Sequence, residues 1–142
     1  MNKVLILLLL VAYSSLNGQS AIEKIHHLID QYSIARERKD TNLLKTILTS
    51  EIDQLVSTGE WRRGLPASIQ GMLRSSAAAS GNRILVVDHI RFISESAAIV
   101  DAKYEVPNAD GSIRKMWSTF VVVSQAGAWR ISAIRNMLPT PN

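Results

Sequence analysis

Cysteine is absent from the chain. That excludes a disulfide framework, a thiolate nucleophile and a lipid-modified cysteine as a membrane tether. About 120 residues must therefore hold together through an apolar core alone, which a chain of that length can build. Aromatic residues make up 6% of the sequence, and they do not interleave with basic ones in the stacking platform that reads single-stranded nucleic acid. Charge of one sign is not concentrated either: 16 Lys and Arg stand against 12 Asp and Glu, for a net +4. The basic residues fall as Arg36, Arg38 and Lys39, then Arg62 and Arg63, then Arg114 and Lys115. This pattern reads as solvated surface rather than a nucleic-acid footprint. Long apolar runs are missing as well, since the longest covers residues 4–13 and a spanning helix needs about 20.

That one apolar run has a context. Lys3 precedes it, and the polar, small-residue stretch from Ser14 to Ser20 follows it, which is the three-part layout of a secretory leader. The layout predicts a leader over residues 1–18, reaching 20 at most, and a secreted or periplasmic product with no membrane attachment after its removal. One domain is expected over residues 19–142. Gly18 and Ser20 both offer the small residue that leader cleavage requires. Ser20 with Glu23 makes a capping-box pattern, which favours cleavage after Gly18 so that the cap is kept.

Ile22, Ile25, Leu28, Ile29, Tyr32 and Ala35 repeat at spacings of three and four, predicting an amphipathic helix over residues 21–38. Asp40 suits the N-cap of a second, short helix whose apolar face is Leu43, Leu44, Ile47 and Leu48. A short strand is expected over residues 54–57, and Pro66 opens a third helix that turns Ile69, Met72 and Leu73 inward. From residue 83 the period becomes two. Four strands are predicted over residues 83–93, 97–106, 112–124 and 128–137, with short turns that imply antiparallel hairpins. In the second of these, Ala98, Val100, Ala102, Tyr104 and Val106 share one face. Helices first and a meander afterwards is an α+β layout.

Two stretches carry a resemblance. One is the helix end Arg38-Lys39-Asp40 followed by a short helix, then Asp53, Gly59 and Gly64 before the third helix. The other is the strand Ser118-Thr119-Phe120-Val121-Val122-Val123, a Gly-centred turn, and Trp129 through Met137. In this order they resemble the SnoaL-like branch of the nuclear transport factor 2-like superfamily, in particular its SgcJ/EcaC-type group. The resemblance implies a cone-shaped α+β barrel in which three N-terminal helices pack on a curved antiparallel sheet and leave a conical pocket. Relatives of this kind include ketosteroid isomerases, polyketide cyclases and dehydratases beside proteins that only bind, so the fold does not decide the function.

Compared with the isomerases, Tyr32 and Asp40 keep the spacing of a first-helix Tyr and the acid that opens the second helix. The general-base Asp falls near Val56 and the protonated oxyanion-hole Asp near Thr119, and neither position is a carboxylic acid. The preferred reading is a binding module whose pocket holds a small apolar molecule without catalysis and without a cofactor or metal. Tyr32 and Asn136 would orient the ligand, Trp61, Tyr104 and Trp117 would supply flat apolar wall, and Thr119 is a further ligand-binding candidate. The alternative is a cyclase, isomerase or dehydratase with Asp53 as base and Tyr32 as acid. Asp53 stands an odd offset from Val56, so a bulge would have to turn it into the pocket. A third reading makes the outer sheet face a homodimer surface, because both alternations of residues 120–123 are apolar.

Overall fold

The computed structural model describes residues 2–79 and 81–140, with side chains described from Gly18 onward. The side chains of the expected leader through residue 17 thus lie outside the described residues. Among the described residues three helices and six strands follow one another as α1 (Asn2–Arg38), α2 (Thr41–Ile47), β1 (Leu48–Leu55), β2 (Trp61–Arg63), α3 (Leu65–Ala77), β3 (Ile84–Ser94), β4 (Ala97–Pro107), β5 (Ile113–Gln125) and β6 (Ala128–Met137). Among the described residues no helix is long and apolar enough to cross a membrane.

The end of α1 and the start of α2 are set by one residue. Lys39 takes φ 54°, the left-handed turn that stops a helix, and the Asp40 N–H then donates to the Ala35 carbonyl at 2.9 Å. The Asp40 carboxylate accepts from the Leu43 N–H, also at 2.9 Å, and so caps α2. The beginning of α1 is not where the capping box put it. In the full chain Ser20 lies inside a helix continuous from Asn2, so it is not an N-cap there; the capping expectation applies to the chain after leader removal.

The sheet has the order β2-β1-β6-β5-β4-β3. Residues 83–137 form the expected meander, with β3, β4, β5 and β6 paired antiparallel in sequence order. The expectation of a purely antiparallel sheet fails at β1, which runs parallel to β6 with Asp53 opposite Ala133. The strand expected at residues 54–57 is instead eight residues from Leu48 to Leu55, and the three-residue β2 was not foreseen. Since β2 and β3 are the two edges and do not pair, the sheet is open and not a closed barrel.

The helices cover one face of this sheet, here termed inner. On α1 the stripe Ile25, Leu28, Ile29, Tyr32 and Ala35 is buried, as are Leu44 and Ile47 of α2 and Ile69 and Met72 of α3. They meet the inner alternation of the strands: Ala98, Val100 and Ala102 on β4, Phe120 and Val122 on β5, and Ile131 and Ile134 on β6. Tyr32 meets Phe120 edge to face at 5.4 Å between ring centroids. At the far end Tyr104, Val106 and Met116 form a separate small cluster, and the space between it and α3 is where the core gives way to a cavity.

Candidate functional site

Two adjoining cavities occupy that end. The inner one has about 30 Å³, room for a water-sized group, between Arg36, Gln54, Arg83, Tyr104, Met116 and Asn136. It meets a wider recess of about 300 Å³ bounded by Thr58, Glu60, Ala78, Ala79, Pro107 and Ala109. Val56, Arg62, Ser75, Val106 and Arg114 line both.

The polar wall is a set of arginines fixed by different elements. Arg36 lies one helical turn beyond Tyr32 on the buried stripe of α1 and is 4% exposed. It donates from Nη1 to the Tyr32 hydroxyl at 2.6 Å, from Nη2 to Ser75 Oγ at 2.9 Å and from Nε to Ser76 Oγ at 3.3 Å. Arg83, just before β3, reaches the same two serines, with Nη1 to Ser76 Oγ at 3.2 Å and Nη2 to the Ser75 carbonyl at 2.7 Å. Burial, with the like charge of Arg36 as a smaller contribution, pulls the Arg83 pKa below the ordinary arginine value. Arg62 of β2 donates from Nη1 to Gln54 Oε1 at 3.3 Å and from Nε to Glu60 Oε1 at 3.0 Å. Glu60 also receives Arg74 at 3.2 Å. These bonds, those from Arg62 foremost, hold its carboxyl below the usual range. Burial pushes the Tyr104 hydroxyl above its usual pKa, partly countered by Arg36, so Tyr104 is neutral at physiological pH.

The expected site residues divide between the two faces of the sheet. Tyr104 and Asn136 are on the cavity wall, and the Asn136 side-chain oxygen accepts a short hydrogen bond from Ser118. Tyr32 is buried behind the wall, its hydroxyl engaged by Arg36. Trp61, Trp117 and Thr119 are not part of the pocket. They belong to the outer alternation, because their neighbours Arg62, Met116 and Ser118 are the buried, inward residues of those strands. Trp61 lies between Arg63 and Arg135, whose guanidinium carbons stand 4.6 and 4.8 Å from its ring centroid. Trp117 is beneath Lys103 at 5.7 Å, and Thr119 donates to Asp101 at 2.6 Å.

Asp53 is also outside the pocket. Its carboxylate pairs with Arg135 through Nη1 at 3.0 Å and Nη2 at 3.2 Å, on the face opposite Gln54, which is buried and borders the inner cavity. The bulge in β1 lies between Leu48 and Asp53, too early to reverse Asp53 relative to Val56. A base at Asp53 and an acid at Tyr32 therefore cannot flank one substrate. The carboxylate that does border the recess, Glu60, is engaged by two arginines.

Arg36, Arg62, Arg83 and Arg114 were missed as pocket residues. The available signal was parity: Arg114 falls in step with Met116, Ser118 and Phe120, and Arg83 with Leu85 and Val87.

Among the described residues the architecture is α+β, three helices under an open, six-stranded mixed sheet with a cavity at one end, and it shares its fold with nuclear transport factor 2-like structures. Solved structures of that class superimpose on the chain. A nuclear transport factor 2-like superfamily protein from Salmonella enterica matches with TM-score 0.72 and 18% identity, over 88% of this chain and 95% of that one. A protein of unknown function from Shewanella oneidensis, also nuclear transport factor 2-like, matches with TM-score 0.69 and 16% identity, over 82% and 98%. A type 2 hexachlorocyclohexane dehydrochlorinase matches with TM-score 0.73 and 12% identity, over 89% and 90%. No family model and no curated protein matches the sequence. At these identities the likeness is one of fold, and this fold carries an enzyme beside proteins of unknown function.

Proposed function

We propose that the chain, exported and freed of its leader, is a SnoaL-like protein of the SgcJ/EcaC type that binds a small molecule in its cavity without transforming it. The observation that carries this reading is the make-up of the cavity wall. Arg36, Arg62 and Arg83 are held in place by hydrogen bonds to neighbouring side chains, and the one carboxylate of the wall is already bound by Arg62 and Arg74. Such a wall orients a ligand but offers no free base to abstract a proton. The recess adds an apolar border of Val56, Ala78, Ala79 and Val106, which suits a molecule with an apolar body. A volume of about 300 Å³ is at the small end of ligand pockets.

The test is native mass spectrometry of protein purified from its own host. A retained mass that leaves unchanged on denaturation is expected. Protein that carries no retained molecule, and converts none of the small molecules extracted from its host to a different mass, overturns binding. Conversion of an added molecule to a different mass replaces binding with catalysis.

A further inference from the structure

The walls of the two cavities carry four guanidinium groups, Arg36, Arg62, Arg83 and Arg114, against one carboxylate, Glu60, a surplus of three positive charges. Glu60 is in contact with Arg62 and Arg74. Among the described residues no carboxylate pairs with the side chain of Arg36, Arg83 or Arg114. The guanidinium groups of Arg36 and Arg83 donate to neutral acceptors and converge on Ser75 and Ser76, while the Glu37 carboxylate accepts from the Arg83 backbone N–H at 3.3 Å and offsets only part of the charge from outside the cavity wall. Like charges are thus brought together at a place where burial already disfavours charge. Tyr104, the hydroxyl in their midst, is neutral and supplies no counter-charge.

A second feature is independent of the charge balance. The Nε atoms of Arg83 and Arg114 are buried and have no hydrogen-bond acceptor. Buried N–H donors are nearly always satisfied; the Nε of Arg130, which lines neither cavity, is unsatisfied as well, but among the described residues the Arg114 guanidinium has no hydrogen-bond or ion-pair partner at all, and its side chain lines both cavities. A guanidinium edge matches the paired oxygens of a carboxylate or phosphate.

We propose that the junction of the two cavities is an oxyanion site: Arg114, which lines both, and Arg83 hold the carboxylate or phosphate head of the ligand at the mouth of the inner cavity, Arg36 adds a third positive charge, and the apolar body lies in the recess. This rests on the binding reading above and deepens it. Expected ligands are small amphipathic acids rather than wholly apolar molecules.

The test uses the full chain at constant ionic strength, titrated calorimetrically with benzoate, its neutral isostere benzamide, and inorganic phosphate. Saturable binding of benzoate, or of phosphate, at least tenfold tighter than benzamide is expected, and whichever anion prevails names the head group. Arg114→Gln should weaken the anion at least tenfold and leave benzamide unchanged, while Arg114→Lys, which keeps the charge, retains part of the affinity. Equal binding of benzoate and benzamide overturns the oxyanion site but leaves a ligand pocket in place. Failure of both anions to bind overturns it too, and the retained-mass experiment then decides the pocket separately. Anion binding that survives Arg114→Gln also overturns it.

Discussion

Gly71→Ala tests how the recess wall is held. Gly71 is buried in the middle of α3, where alanine is ordinarily favoured over glycine by about 1 kcal/mol. A methyl group here would stand 2.2 Å from Arg62 Nε, 2.4 Å from Cδ and 2.6 Å from Cζ, so the guanidinium lies directly on the bare helix and has to move. Moving it breaks the bond to Gln54 Oε1, and Gln54 is 1% exposed. A stranded buried acceptor costs about 1–3 kcal/mol. The ion pair with Glu60 adds little, since that carboxylate is screened by solvent. Against the helix gain, the net is a destabilisation of up to about 2 kcal/mol, or up to roughly 6 °C in Tm for a domain of this size. Thermal denaturation followed by circular dichroism reads it. In an Arg62→Ala background the obstacle is gone, and the same glycine substitution should raise stability by about 1 kcal/mol. A Gly71→Ala single variant more stable than the parent would refute the packing argument.

Asp53→Asn should cost about 0.5–1 kcal/mol, as a partly exposed ion pair does, and leave ligand retention unchanged. Loss of the retained mass in that variant would contradict the outer placement of Asp53. Asp40→Ala should destabilise by about 1 kcal/mol through loss of the α2 cap, with Asp40→Ser keeping most of it; equal melts of Asp40→Ala and the parent would show that the cap contributes nothing. Glu60 has a depressed folded pKa, so its contribution is present above the unfolded carboxylate value and is lost as pH falls through the folded one. The parent should therefore lose more Tm than Glu60→Gln between about pH 5 and pH 3, and parallel curves would remove Glu60 as a source of acid sensitivity.

The strands of the meander were readable because alternation is a local signal. The run predicted at 128–137 is β6 as observed, and the other three are off by one residue at an end or two. Burial of Ala98, Val100, Ala102, Tyr104 and Val106 follows the predicted face. The position of β1 beside β6 was not readable, because parallel pairing of Asp53 with Ala133 joins residues far apart in sequence. Nothing within residues 48–55 distinguishes that neighbour from a hairpin partner. The three-residue β2 is too short for any periodicity to show.

The arginines were misread for a different reason. Counting basic residues by proximity in sequence joined Arg36 to Arg38 and Lys39, Arg62 to Arg63, and Arg114 to Lys115, and each group looked like solvated surface. On a strand, adjacent residues point to opposite faces, and on a helix residues two apart, such as Arg36 and Arg38, lie on roughly opposite sides, while Lys39 stands past the helix end. In every one of these groups one member is turned inward while the others are exposed: Arg38, Lys39, Arg63 and Lys115 face solvent, and Arg36, Arg62 and Arg114 border the cavity. The same parity that sorted the apolar residues of β4 would have sorted Arg114, in step with buried Met116, Ser118, Phe120 and Val122. A mild net charge spread along the chain thus becomes a concentrated positive charge once the alternation is applied to arginine as strictly as to valine. The chemistry of the pocket follows from that sorting more than from the aromatic residues, two of whose three tryptophans, Trp61 and Trp117, stack beneath cations on the other side of the sheet.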